Sequence, residues 1–357
     1  MTKDSTMKRI TINDVATEAH VSIKTVSNVI NNAGSMRPET RKRVQDAIER
    51  LGYTVNYSAR SLKTGTTNII GLALMAFEQP WTSMYAGEII KSARKRGYSV
   101  VIDTYGDDGL SSIIDETYCV NADGWIYYAD RPLLKHGRLL QQRYPVVLTG
   151  ESLSYGLVDS VTMPNRQPVD EITTAFIRQG VQCIGLIGAP DDLVKERRLN
   201  EVLDLKEGTR VLRTQGYYQA FADAGLPVNT DVVVEGGRWD VNWGVWGAKR
   251  LLDVPAFRDA STRAVICLND ALALGALHAF KEYGWRVPDD VQISGFDDIE
   301  EGRHSDPALT TVNSQLNRYA DYAVDMLIER IGGDTGPTRA ISTDYVIEHR
   351  GSTTFAQ

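Results

Sequence analysis

The sequence predicts an α/β chain in two unequal parts: a small head of three short helices, then a large body of two lobes, each a parallel sheet covered by helices. Three observations predict it. Over residues 11–52 apolar side chains recur at the i, i+3, i+4, i+7 spacing of short amphipathic helices. From Asn68 onward strand-like and helix-like runs alternate, with helices expected near 111–120 and 132–143 among them, and after DSVTMP the alternation begins again. Repeated β and α indicate parallel sheets with helices on their faces, and two rounds indicate two lobes. The third observation is charge. Residues 1–65 carry eleven Lys and Arg against six Asp and Glu, a net of +5, whereas the whole 357-residue chain is at −7 and the remainder is therefore at −12. A basic head on an acidic body is the asymmetry expected when only the head meets a polyanion.

In the head, TINDVATEAHVSIKTVSNVIN places Ile12, Val15, Ala16 and Ala19 on one face of a first helix. His20 and Val21 break it, Ser22 is placed as an N-cap, and Val26, Val29 and Ile30 give a second helix its buried face. A third starts at Pro38 with Glu39 behind it, buries Val44, Ile48 and Leu51, and stops at Gly52. Two short helices joined by a tight turn read as a helix-turn-helix. The outer face of the second helix holds Ile23, Lys24, Thr25, Ser27, Asn28 and Asn31, none of them acidic. A merely solvated face would carry Glu and more Lys; short polar and basic groups suit base edges and phosphate oxygens in a major groove.

These residues, with RPETRKRVQDAIERLGY and NYSARSLKTGTT after them, closely resemble the lac/gal repressor family. The resemblance implies that the second helix enters the major groove. It places Ile23, Lys24 and Asn28 at bases and Ser22, Thr25, Ser27 and Asn31 mainly at phosphates, and it adds Asn56 to the DNA-binding set. It also implies a hinge helix over residues 56–65 that forms on operator DNA, with Leu62 wedged into the minor groove. A free helix that short is marginal, and an apolar wedge unstacks a flexible step. Three positions depart from the family pattern. Val55 stands where Pro is common. Asn28 stands where many members have Arg, and its amide suits adenine or a phosphate better than guanine. His20 occupies a turn position usually held by Gly, where tolerance of left-handed backbone gives it a structural role.

In the body, ligands of open α/β sheets bind beyond the carboxyl ends of strands. Those positions after VVVEG, VICL and ISGF hold Trp239, Asn269 with Asp270, and Asp297 with Asp298. Asn269 also reads as the cap of the helix that follows. The stretch from DSVTMPNR to PALTTVNSQL resembles the effector domain of the same family, so the likeness covers nearly the whole chain: a head at 1–55, a hinge at 56–65 and a two-lobed, periplasmic-binding-protein-like body at 66–357. The first lobe is expected at about 68–163 and 315–342, the second at about 165–312 and 344–357. Carried over residue by residue, the family's effector arginine falls on Arg213, the sugar-stacking aromatic on Trp239 and the polar pair on Asn269 and Asp297. In the first lobe the match fails. Met75, Ala76 and Phe77 follow the first strand, Thr149 and Gly150 stand where an Asp is common, and Pro164 replaces another polar group. Residues 191–208 look longer than usual. Trp81, Trp243 and Trp246 could extend an aromatic site, but they lie in amphipathic helices, where a Trp is more often core.

The remaining composition excludes several classes. MTKDSTMKRITIND contains no apolar stretch for a signal peptide, and the longest apolar run, Ile69 to Phe77, is far short of the roughly 18 residues of a membrane span; a cytoplasmic protein is expected. Cys119, Cys183 and Cys267 lack C-x-x-C spacing, which favours buried thiols over a disulfide or metal site. No P-loop, G-x-G-x-x-G, G-x-S-x-G or H-E-x-x-H occurs, and the five histidines form no ligand spacing. The expected protein is therefore no enzyme and needs no cofactor. It is a transcriptional regulator of the repressor kind, binding double-stranded operator DNA under control of a small molecule, a sugar or related metabolite. HRGSTTFAQ at the end has no heptad repeat, so a homodimer without a coiled-coil tail is expected.

Overall fold

The computed structural model describes residues 10–31, 33–54, 65–106, 109–117 and 120–355. Asn56, Leu62 and Cys119 lie outside these residues. The chain divides into two units, Met1–Thr67 and Asn68–Gln357.

The head has α1 (Ile12–Glu18), α2 (Ile23–Ile30) and α3 (Pro38–Leu51). Thr11 and Asp14 close a capping box on α1, and the Ser22 hydroxyl accepts the Thr25 N–H at 3.1 Å at the start of α2. Gly52 ends α3 at φ +61, and His20 turns the chain between α1 and α2 at φ +50, the left-handed backbone foreseen for it. Val15, Ala16, Ala19, Val26, Val29, Val44 and Ala47 form the core; Ile12, Ile30, Ile48 and Leu51 pack around its edge.

The body holds two parallel sheets. In the first, β1 (Ile69–Leu74), β2 (Ser99–Thr104), β3 (Gly124–Ala129), β4 (Val146–Gly150) and β5 (Asp159–Thr162) are joined by a late strand, β11 (Ala340–Ser342), in the order β11-β5-β4-β3-β1-β2. Helices α4 (Pro80–Lys95) and α10 (Leu316–Ile331) cover one face, where Ile70, Leu72, Tyr85, Ile89, Tyr319 and Leu327 meet. On the other face the sequence suggested helices near 111–120 and 132–143. The structure has instead a 3-10 turn and a single α-turn over 110–117, and only a 3-10 turn, Arg138–Gln141, in the second stretch. Gly137 is extended there, its Cα so near the Leu134 carbonyl that an added Cβ would lie 3.0 Å from it, and the helix is interrupted. Leu139 and Leu140 still reach the core. Gly71, inside β1, lies flat under Trp125, whose ring would stand 2.1 Å from any Cβ.

The second sheet runs β7-β6-β8-β9, from β6 (Cys183–Ala189), β7 (Val233–Glu235), β8 (Arg263–Cys267) and β9 (Gln292–Ser294). Helices α5 (Arg166–Arg178) and α7 (Thr209–Asp223) cover one face, α8 (Val241–Leu252) and α9 (Asp270–Glu282) the other. The long 191–208 segment is a short helix, α6 (Asp191–Lys195), then a 3-10 turn, Leu199–Asp204. A small antiparallel pair, β10 (Thr311–Asn313) with β12 (Val346–Glu348), completes it. The chain crosses between the two sheets after β5, after β10 and after β11. These crossings lie side by side, with the Thr343 N–H donating to Thr162 O at 3.0 Å and its hydroxyl to Ser314 O at 3.2 Å.

Cys183 and Cys267 are buried free thiols. Trp81 is buried as expected, whereas Trp243 is half-buried and Trp246 is 36% exposed on α8; its position on an amphipathic helix did not carry it into the core. Among the described residues no helix is long and apolar enough to cross a membrane, and no group of three His, Cys, Asp or Glu could hold a metal.

One ion cluster ties the edge of the first sheet together. The fully buried Asp159 carboxylate, at the start of β5, takes two N–H groups of Arg330 at 2.9 Å each, and from Arg339 the backbone N–H at 2.7 Å and Nη2 at 3.0 Å. Burial alone would raise this carboxyl, but the hydrogen bonds from Arg330 and Arg339 outweigh it and hold it at about 2, against an ordinary 3.8. Asp159→Ala removes the shared acceptor of Arg330 and Arg339, which keep Gly336 O, Pro337 O and Glu329 as partners, and should cost about 1–3 kcal/mol, measured by urea unfolding at neutral pH. A folded-state pKa below the unfolded value stabilises above the unfolded value and loses that contribution as pH falls. The gap between wild type and variant should therefore shrink as the pH is lowered toward 2.

Candidate nucleic-acid interface and effector cleft

The head presents one polar face. On α2, Ser22, Ile23, Lys24 and Asn31 are exposed, Ile23 to 50%, and Thr25, Ser27 and Asn28 are half-buried. Two of these groups are held by their neighbours. The Ser22 and Thr25 hydroxyls lie 2.9 Å apart, and the Asn31 amide donates to Ser27 O at 2.8 Å. Ser22 and Asn31 are thus the N- and C-caps of α2, and pre-set the helix ends as well as facing outward. Ile23, Lys24 and Asn28 make no such bonds within the described head.

In the body, Trp239, Asn269 and Asp297, expected beyond the carboxyl ends of the second-lobe strands, converge with Arg213, which the family resemblance supplied. Arg213, on α7 and 2% exposed, is their centre. Its Nε donates to Asn165 Oδ1 at 2.7 Å, Nη1 donates to the Leu268 carbonyl at the end of β8, and Nη2 lies 3.5 Å from Asp297 Oδ1. The guanidinium also sits 3.4 Å above the Phe296 ring and 5.3 Å from that of Trp239. Asn269 caps α9 through Leu272 N at 2.8 Å and turns its amide N–H to Trp239 O at 3.0 Å. The capping reading of Asn269 is thus met, and its amide N–H ties the helix start to the Trp239 turn. Its neighbour Asp270 is wholly internal, accepting from Thr311 Oγ1 at 2.6 Å and Ile299 N at 2.9 Å, and is structural.

Asp297 and Asp298 both have left-handed backbone, φ +116 and +56, a costly conformation for residues other than glycine. Opposite partners hold the turn: Asp298 takes Arg303 and Asn313, while Asp297 faces Arg213. Burial pushes the Asp297 carboxyl up to about 7 despite Arg213, and burial also lowers the Arg213 guanidinium. Trp239, at φ +61, has Arg210 5.1 Å from its ring as well as Arg213.

The first lobe supplies a polar wall that the sequence reading missed. Gly150 sits at φ +91 with the Ala129 carbonyl 2.3 Å from where a Cβ would be, so no side chain fits there. The carboxylate comes one residue later: Glu151 is buried, accepts the Met163 N–H at 3.0 Å, and is pushed up to about 7, burial prevailing over Met163, Arg213 and Asn165. Past Pro164, likewise, Asn165 carries the polar group that meets Arg213. Asp130, just beyond β3, takes the Tyr105 hydroxyl at 3.2 Å and is raised by burial. Trp81 and Tyr128, with ring centres 5.0 Å apart, complete the wall. The rule that named the second-lobe residues, applied to β3 and β4, would have found Asp130 and Glu151. Met75 and Ala76 are half-buried and Phe77 is exposed. The lobes touch through Gln79 Nε2 to Arg238 O at 3.0 Å, Gly208 N to Glu151 O at 2.8 Å and Leu153 N to Glu207 Oε2 at 2.8 Å.

Comparison with known proteins places the chain. Residues 11–56 match the bacterial regulatory proteins of the lacI family, and residues 173–353 match the periplasmic binding protein-like domain. The HTH-type transcriptional repressor PurR of Mannheimia succiniciproducens is 32% identical over 333 residues, covering 90% of this chain and 92% of its own. A LacI-type transcription regulator of Bifidobacterium animalis subsp. lactis is similar in structure, with 39% identity, a TM-score of 0.75, and coverage of 80% of this chain and 100% of its own. The transcriptional regulator CelR in complex with cellobiose shares 26% identity at a TM-score of 0.67, covering 96% of this chain and 100% of its own. With the helix-turn-helix, the two parallel-sheet lobes and the matches over both, the chain belongs to the LacI family and is a DNA-binding transcriptional regulator controlled by a small-molecule effector, not an enzyme.

Proposed function

We propose that this regulator acts as a homodimer whose paired heads read an operator, and that a carbohydrate bound between the lobes controls that binding. The observation that carries the effector reading is the convergence of Arg213, Trp239, Asn269 and Asp297 opposite Asp130, Glu151 and Trp81. Carboxylates and an arginine beside indole rings are the groups that grip sugar hydroxyls and C–H faces. Among the described residues the indole N–H groups of Trp81 and Trp239 are buried without a hydrogen-bond partner. A related structure holds cellobiose, which supports the class. In the head, Ile23, Lys24 and Asn28 are the base-reading residues, Ser22, Thr25, Ser27 and Asn31 serve the phosphates, and Asn56 and Leu62 extend the contact through the hinge.

The dimer should bind an imperfect palindrome with a flexible pyrimidine–purine step near its centre, and affinity should fall steeply with salt. Asn28→Ala should change the preferred base at one position per half-site and cost about 1–3 kcal/mol there, read by selection from random duplexes. An unchanged profile assigns Asn28 to a phosphate. Leu62→Ala should weaken specific binding and spare nonspecific binding; equal losses for both would remove the wedge.

Switching the operator-bound population from 99:1 to 1:99 needs a differential affinity of about 5.5 kcal/mol, more than one hydrogen bond provides. Several cleft residues must therefore act together. Arg213→Ala leaves Asp297 buried and unpaired, so it should lower stability as well as abolish the response. Trp239→Ala, which strands no charge, should abolish the response and keep operator affinity without ligand near wild type. Operator titration with and without cellobiose, other sugars, polyols and nucleobases tests this, and a Trp239→Ala protein that still responds at the wild-type ligand concentration rejects the site.

A further inference from the structure

The cleft lies beyond the carboxyl ends of the second sheet, and the opposite edge of the same sheet carries a cavity of its own. It opens at the start of β6, between the C-terminal ends of α5 and α7 and the short helical turn Pro255–Arg258, and has a volume of about 370 Å³. Cys183, Tyr217 and Val232 are buried at its floor, and Val181, Phe221 and Leu226 wall it. Arg213 and Phe221 stand roughly two turns, or 12 Å, apart on α7. The cavity and the cleft are therefore separate, one at each end of that helix.

Its chemistry is unlike that of the cleft. No charged residue lines it. The Tyr217 hydroxyl is already committed to the Ile184 carbonyl at 2.8 Å, and burial raises the Cys183 thiol above its ordinary 9.0 despite Arg263 nearby, so the floor is neutral. Tyr217 and Phe221 meet with ring centres 4.9 Å apart and planes at 52°, an aromatic corner against which a flat ring packs by edge or face. Leu226 stays 47% exposed at the mouth, which leaves apolar surface against water. The polar groups on the rim are two amides whose oxygens are both engaged within the chain. Gln182 Oε1 accepts from Ser261 N at 2.7 Å and Ser261 Oγ at 3.1 Å, and Asn229 Oδ1 accepts from Asp231 N at 3.1 Å. What these amides still offer a ligand is N–H donors.

We propose that this cavity is a second ligand site, which takes a neutral aromatic molecule of about two fused rings bearing a hydrogen-bond acceptor such as a carbonyl. The size follows from the volume, since an apolar cavity of about 150 Å³ holds one benzene and small-molecule pockets begin at roughly 300 Å³. Neutrality follows from the lining, because a charged ligand would leave water and meet no opposite charge. The acceptor follows from the amide N–H groups of Gln182 and Asn229. A sugar fits poorly here: most of its hydroxyls would lie against Val181, Tyr217 and Val232 without partners.

The test is titration of the full-length protein with coumarin, a neutral bicyclic lactone, followed by saturation-transfer NMR. Coumarin should bind with a Kd of about 1 mM or tighter. Ala256→Trp and Leu226→Asp change exposed positions at the mouth, the first filling the cavity and the second lining it with charge. Each should weaken binding about tenfold or more and keep the thermal unfolding midpoint near wild type. Gln182→Glu combined with Asn229→Asp retains the oxygens that hold Ser261 and Asp231 but removes the amide donors. It should also weaken binding about tenfold, the scale of a hydrogen bond. Trp239→Ala, in the cleft, should leave coumarin binding unchanged. The proposal is overturned by an absence of coumarin binding, by binding that is unchanged in both mouth variants or in the amide variant, or by binding that is lost in Trp239→Ala, which would put coumarin in the cleft.

Discussion

The cleft is organised around one guanidinium withdrawn from water. A buried charge costs several kcal/mol unless geometry and hydrogen bonds answer it, and Arg213 is answered from three parts of the chain. Asn165 comes from the crossing after β5, the Leu268 carbonyl from the end of β8, Asp297 and Phe296 from the turn after β9. Because each partner lies on a different segment, satisfying Arg213 fixes the relative placement of all of them. The left-handed backbone at Asp297 and Asp298 is tolerated for this reason: Arg303 and Asn313 hold one carboxylate outward while Arg213 draws the other in.

The same logic explains why polar groups in the first lobe sit one position beyond where the strand ends. Six parallel strands bring carbonyls close together at their carboxyl edge, and at Gly150 the neighbouring Ala129 carbonyl leaves no room for a Cβ. The Tyr319 hydroxyl of α10, which takes the Gly150 N–H at 2.5 Å, locks that tight passage from behind. The carboxyl group comes instead from Glu151, whose carbonyl and carboxyl are both tied down. A local packing limit on the backbone thus decides which residue carries a polar side chain at the end of β4.

The head and the second-lobe site were legible in the sequence because their signals are local. Ser22, Pro38 and Gly52 mark helix ends by side-chain chemistry or backbone freedom, and they cap or open helices in the structure. Trp239, Asn269 and Asp297 follow strand-like runs directly, and the structure gathers them around Arg213. The first-lobe wall was not legible, because the positions that align with the family's polar groups, Gly150 and Pro164, have none, and the polar side chains come from Glu151 and Asn165 beside them. Nor could spacing alone show that the 132–143 stretch is mostly irregular. Leu139 and Leu140 are buried as a helix would bury them, yet the extended Gly137 breaks the run.

The three chain crossings between the lobes have a mechanical consequence. A single linker would let the lobes swivel about many axes, and a broad interface would let them move about none. Here three strands of chain run side by side, and Thr343 clips the third to the other two through Thr162 and Ser314. Such a ribbon is stiff to twist and to sideways shear, and soft only to bending across its thin direction. Bending across that thin direction is therefore the relative motion of the lobes that the three crossings resist least.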